Sequence, residues 1–560
     1  MASGDLISRV YSNFRGVDFR GEEINLVRSP NSLNMWKDYK ETESIRTRPE
    51  MELLHSFNEK IYGIFFYNDM MIVHSGKVLY KIVNGVKTEL YSGLNTAQSN
   101  AFVYNNMWYF KDGKHYLQYD GTTIGEVEGY IPTTAIGGKA GFDGAGTDNQ
   151  DVNLLSEWRI NTFKGNGESF IFQLDTQDID ENPIVKVNGE TKVKGTDYRV
   201  MSHTGQIYFT EYPPAPLTDG QDNVSITFKK TVDGYADRIK KCTLLQVFDN
   251  RVFFSGNPDF PNMVWHCSLN DPTYCSDLDY YNEGLDNAKV KGMVAGNNAL
   301  WVFKEPSQAN TTVFYHTPTI DADYGKVYPS QHSSVTTGCV GKAINFNDDI
   351  IFFSERGMEG ISGDVTSEQV VAHRSSLIDR KLVADSKYKE MLLEEWEGYL
   401  LVIIGNKVFL ADSRAVFTNE DHIEYEYFYW ELKKDITCTR VNKGVLYLGT
   451  DDGVYSLTDN TSDVESWWVT PKDKFKHPQY MKTSNKRGCV VEATGDISVF
   501  AKVEDTDFEL IGDYKNITDY FVSRIKRKKF KDIQLKFYSK KRFSLETATL
   551  ECFIGGYLKR

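Results

Sequence analysis

Long hydrophobic runs are missing from this chain, and so is any ordered use of cysteine. No window approaches the run of about 18 apolar residues that a membrane-spanning helix needs, so none is expected. The opening Met1-Ala2-Ser3-Gly4-Asp5-Leu6-Ile7 lacks the basic stretch and apolar core of a secretory signal, so synthesis and folding in a cytoplasm are expected. The seven cysteines, Cys242, Cys267, Cys275, Cys339, Cys438, Cys489 and Cys552, are scattered and odd in number, and they form no CxxC pair. Reduced, buried thiols are therefore expected rather than a disulfide framework. Positive charge is not in excess. With 64 basic against 78 acidic residues the formal charge is −14, which argues against wholesale nucleic-acid binding by the surface. It is compatible with DNA passing a repulsive channel without sticking. Helical periodicity is scarce as well, and the best window, 382–396, is interrupted by Asp385-Ser386.

What the chain has in quantity is aromatic residues and tight corners. Aromatics make up 13% of it, with 33 Tyr and 33 Phe, a composition that favours strands. Residues 247–256, Val-Phe-Asp-Asn-Arg-Val-Phe-Phe-Ser-Gly, read as an apolar strand, an Asp249-Asn250 corner and a second apolar strand. The same pattern recurs at 61–76, at 102–113 around Asn105-Asn106, at 294–303 around Asn297-Asn298, and at 344–354 around Asn347-Asp348-Asp349. It returns at 399–410 around Gly405-Asn406 and at 441–449 around Asn442-Lys443-Gly444. No single hairpin buries its own apolar face, so a repeated unit with stacked neighbours is implied. The fold class expected is all-β: a β-propeller of six to eight blades, with an inserted immunoglobulin-like β-sandwich and a C-terminal β-domain. Because propellers close, residues 61–83 are expected against residues 436–457.

The chain parses into an N-terminal arm (1–50), a first part of the propeller (51–151), an inserted module (152–235), a second part of the propeller (236–465) and a C-terminal β-domain (466–560). The arm has two readings, a subunit-contact arm or a lead-in that packs on its own domain. Residues 136–151, with Gly137, Gly138, Gly141, Gly144 and Gly146, read as an exposed linker, since no GxxxxGK[ST] phosphate loop is present. In 152–235 a glycine-rich start is followed by Val185-Lys186-Val187-Asn188-Gly189, Asp197-Tyr198-Arg199-Val200 and Gly205-Gln206-Ile207-Tyr208-Phe209 before a proline turn. This resembles the immunoglobulin-like modules of phage tail and fibre proteins, which implies an accessory sandwich. The C-terminal domain reads as a sandwich, with a helical alternative for 517–529.

Candidate chemistry is sparse. His266-Cys267 with Cys275 has no familiar zinc spacing. His332 and Cys339 invite a thiol–imidazole reading, but buried structural thiol is the better account of Cys339. The acid pairs Asp271 and Asp279, Asp321 and Asp323, and Asp451-Asp452 sit where turns need Asp, and no SxDxGxTW box accompanies them. No catalytic, cofactor or metal residue is assigned, and no enzyme activity is expected. The run 524–531 has six basic residues in eight: Arg524, Lys526, Arg527, Lys528, Lys529 and Lys531. In so acidic a chain these six read as a subunit interface, a basic edge meeting the acidic body of a neighbour.

A family resemblance runs through several of these stretches. Arg15-Gly16-Val17-Asp18, Ser29-Pro30-Asn31-Ser32-Leu33-Asn34-Met35 and Arg46-Thr47-Arg48-Pro49-Glu50 are followed by Ser255-Gly256-Asn257-Pro258-Asp259 and Leu269-Asn270-Asp271-Pro272-Thr273-Tyr274. Later come Gly338-Cys339-Val340 and Phe352-Phe353-Ser354-Glu355-Arg356-Gly357-Met358. Together these resemble the tail nozzle and "stabilization" proteins of double-stranded DNA bacteriophages. The resemblance implies a structural virion protein in the tail, assembled in the host cytoplasm. It implies a homo-oligomeric ring, six-fold or higher, below the portal and adaptor, with other tail proteins as partners. DNA would pass through without specific binding, and no cofactor or membrane insertion is expected. The alternative function is a tail receptor-binding protein that recognises or cleaves host surface carbohydrate.

Overall fold

The computed structural model describes residues 5–40, 44–142, 144–180, 182–309, 311–322, 325–362, 369–419, 422–459, 463–525 and 529–557. The chain divides into two compact units, 1–89 with 333–560, and 90–332. The architecture is all-β. Among the described residues the helical elements are Tyr235–Lys240, Asp379–Leu382 and the 3-10 turn Tyr388–Glu390.

Among the described residues, seven antiparallel sheets of four strands make up the propeller blades. Blade 1 lies within 61–92 and blade 2 within 100–126. Blades 3 and 4 occupy 244–282 and 290–332, and blades 5 and 6 occupy 343–373 and 392–431. Blade 7 joins Cys438–Asn442, Val445–Gly449 and Gly453–Thr458 to Glu50–Ser56 from the start of the chain. Early and late strands thus meet within the first unit, as expected for a closing propeller. Thr437 Oγ1 donates to the Ile61 carbonyl at 2.6 Å, and Ile61, Cys438 and Val454 share one core cluster.

The corners are where sequence and backbone agree most closely. Pairs such as Tyr67–Met70, Phe248–Arg251 and Phe346–Asp349 close two-residue loops. Asn68-Asp69, Asn105-Asn106, Asp249-Asn250, Asn297-Asn298 and Asn347-Asp348 all take positive φ at both positions. That is the type I′ geometry, whose twist matches that of the flanking strands, and Asn and Asp tolerate it. In blade 6 the equivalent corner is Glu397-Gly398, between Trp396 and Tyr399. The hairpin read at 399–410 is real, but it joins the next two strands.

Two sequence expectations need correction. The inserted module begins near Thr133, not 152, because the supposed linker 136–151 is built into its sheet. Thr133–Lys139 pairs in parallel with Trp158–Lys164, and Gly146–Asp148 pairs back onto it. The glycines there permit close packing: a Cβ on Gly138 would lie 2.3 Å from the Phe163 ring, and one on Gly146 would lie 2.2 Å from the Ile136 carbonyl. The helical alternative for 517–529 gives way among the described residues to the strand Tyr520–Ser523, while the window 382–396 ends as the strand Leu392–Trp396, in keeping with the all-β expectation. The C-terminal strands, together with three from the N-terminal segment, Leu6–Tyr11, Met35–Lys37 and Ile45–Thr47, form one continuous hydrogen-bonded sheet of ten strands. Its spine is the 24-residue strand Tyr480–Val503.

The N-terminal segment takes the second of its two readings. Leu6–Tyr11 pairs with Phe543–Tyr557, and Ile45–Thr47 pairs with the same strand. Tyr11 and Trp36 share a buried cluster with Trp430 of blade 6 and with Val491 and Leu535 of the C-terminal sheet. The inserted module has a core of its own, in which Phe163, Phe172, Val185, Ile207, Ile226 and Phe228 are fully buried.

Candidate functional site

The basic run emerges from the C-terminal sheet between two buried anchors. Ile525 and Phe530 are buried in the shared core, and Lys529–Phe530 pairs with Lys482 and Thr483 on the spine strand. Arg524, Lys529 and Lys531 are exposed, as alternation about those anchors requires. Lys526, Arg527 and Lys528 lie outside the described residues. The backbone around the run is pinned by a buried cation: Lys482 Nζ donates to the carbonyls of Lys531 at 2.8 Å and His477 at 2.6 Å. Glu504 accepts from the Lys531 amide at 3.0 Å, and other acids of this region have lysine partners. Lys472 Nζ lies 3.0 Å from Asp505 and 3.7 Å from Asp532, and Lys502 meets Glu22 at 3.3 Å. Three of the six predicted interface residues are thus placed on one exposed edge.

Buried charge clusters that sequence reasoning missed hold the N-terminal segment. Arg28 grips Glu426 through two hydrogen bonds of 2.8 Å, and the Glu426 side chain is fully buried. Arg9 and Tyr11 converge on Asp473 at 2.7 and 3.0 Å. Arg48, only 2% exposed, donates to Asn34 Oδ1, the Pro49 carbonyl and the Glu431 carbonyl at 2.9, 2.7 and 3.0 Å. Burial lowers the Arg48 guanidinium to about 10, with Glu50 opposing the shift. The Arg-Thr-Arg-Pro-Glu stretch is therefore a tether within one chain.

A second cluster follows Phe353-Ser354-Glu355-Arg356-Gly357-Met358. His373 lies between two carboxylates, with Nε2 2.6 Å from Asp379 and Nδ1 3.2 Å from Glu359. Ser354 donates to Glu359 at 3.0 Å, and Ser375 donates to Asp379 at 2.5 Å. Burial alone would depress the imidazole, but the bonds to Asp379 and Glu359 outweigh it and raise His373 to about 10. A Cβ on Gly357, at φ +141°, would fall 2.3 Å from Asp379, so only glycine leaves this clasp intact. The arrangement is a charged clasp across blade 5, with His373 as the imidazolium.

The other candidates serve turns and packing. Cys267 and Cys275 are buried, and burial pushes the Cys267 thiol up to about 12. The buried Cys267 sulfur accepts from Val252 N at 3.0 Å, and Cys339 donates to the Lys342 carbonyl at 3.7 Å. His332 is an exposed strand residue of blade 4. Asp271 caps Thr273, and Asp452 receives Thr450, Tyr455 and Lys434. Asp279 is raised to about 6 by burial, with Asp151 and Asp277 adding to the shift against Arg251. Asp323 lies outside the described residues.

Neither a family model nor a curated protein sequence matches the chain. Among solved structures, streptogramin B lyase aligns at 11% identity over 74% of this chain and 98% of its own, with a TM-score of 0.37. BamB from Moraxella catarrhalis aligns at 10% identity over 76% and 93%, with a TM-score of 0.32. The computationally designed Ika8 protein aligns at 9% identity over 73% and 99%, with a TM-score of 0.33. These likenesses say nothing about activity, and the propeller assignment rests on the strand pairing above.

Proposed function

We propose that this chain is a structural, non-enzymatic virion protein of a bacteriophage tail. In this reading it assembles as a ring or nozzle below the portal, seals the head–tail junction and lets DNA pass during ejection. The observation that supports the reading is the tethered Arg48, with Pro49 and Glu50, in Arg46-Thr47-Arg48-Pro49-Glu50, one of the stretches that resemble the nozzle family. The exposed basic edge is the contact to the next subunit. A chain of net charge −14 presents acidic surface to a basic neighbour and avoids the counterion-driven affinity that would trap DNA in a channel.

The test replaces Lys526, Arg527, Lys528 and Lys529 with Glu together. The expected outcome is a folded monomer that fails to enter particles or rings in negative-stain images, with DNA affinity unchanged. Normal assembly, with loss only of low-salt DNA binding, would assign the edge to nucleic acid and overturn the reading.

A further inference from the structure

The second unit contains a cleft of about 700 Å³ where the inserted module meets the blades that carry it. It opens between the stretches of chain that cross to and from the module, around residues 127–131, 152–159 and 230–240. Volumes of roughly 300–1,000 Å³ at such junctions are typical of sites that enclose small ligands.

The cleft wall is built, not incidental. Asn153 is fully buried and uses its whole amide. Its Nδ2 donates to the carbonyls of Tyr130 at 2.8 Å and Thr273 at 2.9 Å, and its Oδ1 accepts from the amides of Cys275 at 3.0 Å and Leu155 at 3.1 Å. Gly129 is pressed onto the same wall, since a Cβ there would lie 2.4 Å from the Leu155 carbonyl. The crossing segments are therefore held in register with blade 3.

The lining is polar, aromatic and electrically balanced. Glu157 is paired with Lys229 at 2.7 Å, Lys240 with Glu126 at 3.1 Å, and Asp237 with Lys241 at 3.3 Å. Glu128 and Asp233 line the cleft as acceptors, against the cations Arg159 and Lys230, of which Lys230 Nζ already donates to the Asp178 carbonyl at 2.8 Å. Arg159 Nε is buried without a hydrogen-bond partner, which leaves a donor unsatisfied at the cleft wall. Trp158 and Tyr235 supply aromatic faces, and the Tyr235 ring is backed by the Arg238 guanidinium at 4.7 Å. A phosphate ligand needs net positive lining, and an apolar ligand leaves these charged groups desolvated without partners. A neutral polyhydroxyl compound avoids both costs: carboxylates accept its hydroxyl protons, a guanidinium donates to its oxygens, and an indole covers its C–H face.

We propose that this cleft binds a neutral oligosaccharide, stacked on Trp158 and hydrogen-bonded by Glu128, Asp233 and Arg159. The site belongs to the single chain and does not depend on ring assembly. The full-length protein would be tested on an array of neutral oligosaccharides of glucose, galactose, mannose and N-acetylglucosamine. The best probe would then be titrated by tryptophan fluorescence. Saturable one-site binding is expected, insensitive to salt because the ligand is uncharged. Trp158→Ala should weaken it by about tenfold or more, through loss of the stacking face. Arg159→Gln and Glu128→Gln should each weaken it severalfold and serve as the test if the Trp158 variant does not fold. A remote surface change, Glu190→Gln, should leave it unchanged. The proposal is overturned if no neutral glycan saturates, if the three cleft variants bind like the parent, or if inorganic phosphate competes.

Discussion

Two parts of this chain lie outside the repeating blades and are attached by opposite means. The N-terminal segment, residues 5–50, has no core of its own. Its strands are short, and it is held by charged side chains reaching strands far away in sequence: Arg9 to Asp473, Arg28 to Glu426 and Arg48 to the Glu431 carbonyl. The inserted module, residues 133–229, buries its own phenylalanines and aliphatics and is tied to blade 3 through the hydrogen bonds of one short segment, 151–154, among them those of the Asn153 amide. A segment that borrows its core is only as stable as the contacts that hold it, whereas a segment with its own core can unfold alone. The difference also decides where change is tolerated. A buried ion pair broken on one side leaves an uncompensated charge, while an apolar core loses only the contacts removed.

The sharpest way to break the comparison is Arg28→Ala. Glu426 would remain buried without its paired hydrogen bonds, with Arg15 at 3.8 Å. The expected loss is about 4 kcal/mol, read as a lower urea midpoint for the first unit. A loss below about 1 kcal/mol would mean that the arginine seam is decorative.

Phe172→Ala tests the other side. The ring is fully buried and packs edge-on to Phe163 at 5.4 Å and Phe209 at 5.1 Å. About 3 kcal/mol should be lost, with hydrogen-exchange protection falling in 133–229 alone. Loss of protection in blades 2 to 4 as well would show that the module is not autonomous.

Asn153→Ala removes the seam between module and blade. The orphaned Tyr130 carbonyl and Cys275 amide should cost about 2 kcal/mol, while the Thr273 carbonyl keeps the Tyr130 amide at 3.2 Å. Faster exchange is expected at 273–277 and no change in the Phe172 core. A change spread through the module would place Asn153 in its core stability instead.

The smallest effect concerns pH and the His373 clasp. Its folded value, about 10, lies above the unfolded one, so its contribution is complete below about pH 6.5 and is lost as pH rises through 10. Part of the ring faces solvent, so the expected loss is only about 1 kcal/mol across that window. His373→Gln should be less stable at neutral pH and should flatten this part of the profile. An unchanged slope in the variant would assign it to other groups.

Much of the propeller was legible because its signals are local. A corner such as Asp249-Asn250 needs two residues at positive φ, and few side chains tolerate that, so composition reports geometry. The blade 6 corner was missed because its first residue is Glu397, which carries no such preference. The module boundary was missed for the converse reason: Gly138 and Gly146 look like flexible punctuation, but they are small because a neighbouring strand leaves no room for a Cβ. Of the site, the run 524–531 was readable as charge, and nothing nearby in sequence named the anchors or neighbours of Arg524, Lys529 and Lys531.

Strand type, corner positions and blade repetition follow from short-range chemistry: alternation, turn preference and aromatic content within about ten residues. The partners of the arginines do not. Arg28 and Glu426 are separated by 398 positions, and His373 became an imidazolium because the blade's closing loop brought Asp379 opposite Glu359. Charge on a surface residue is fixed by its type, but the worth of a buried charge depends on which group faces it, and that pairing exists only once distant strands have packed.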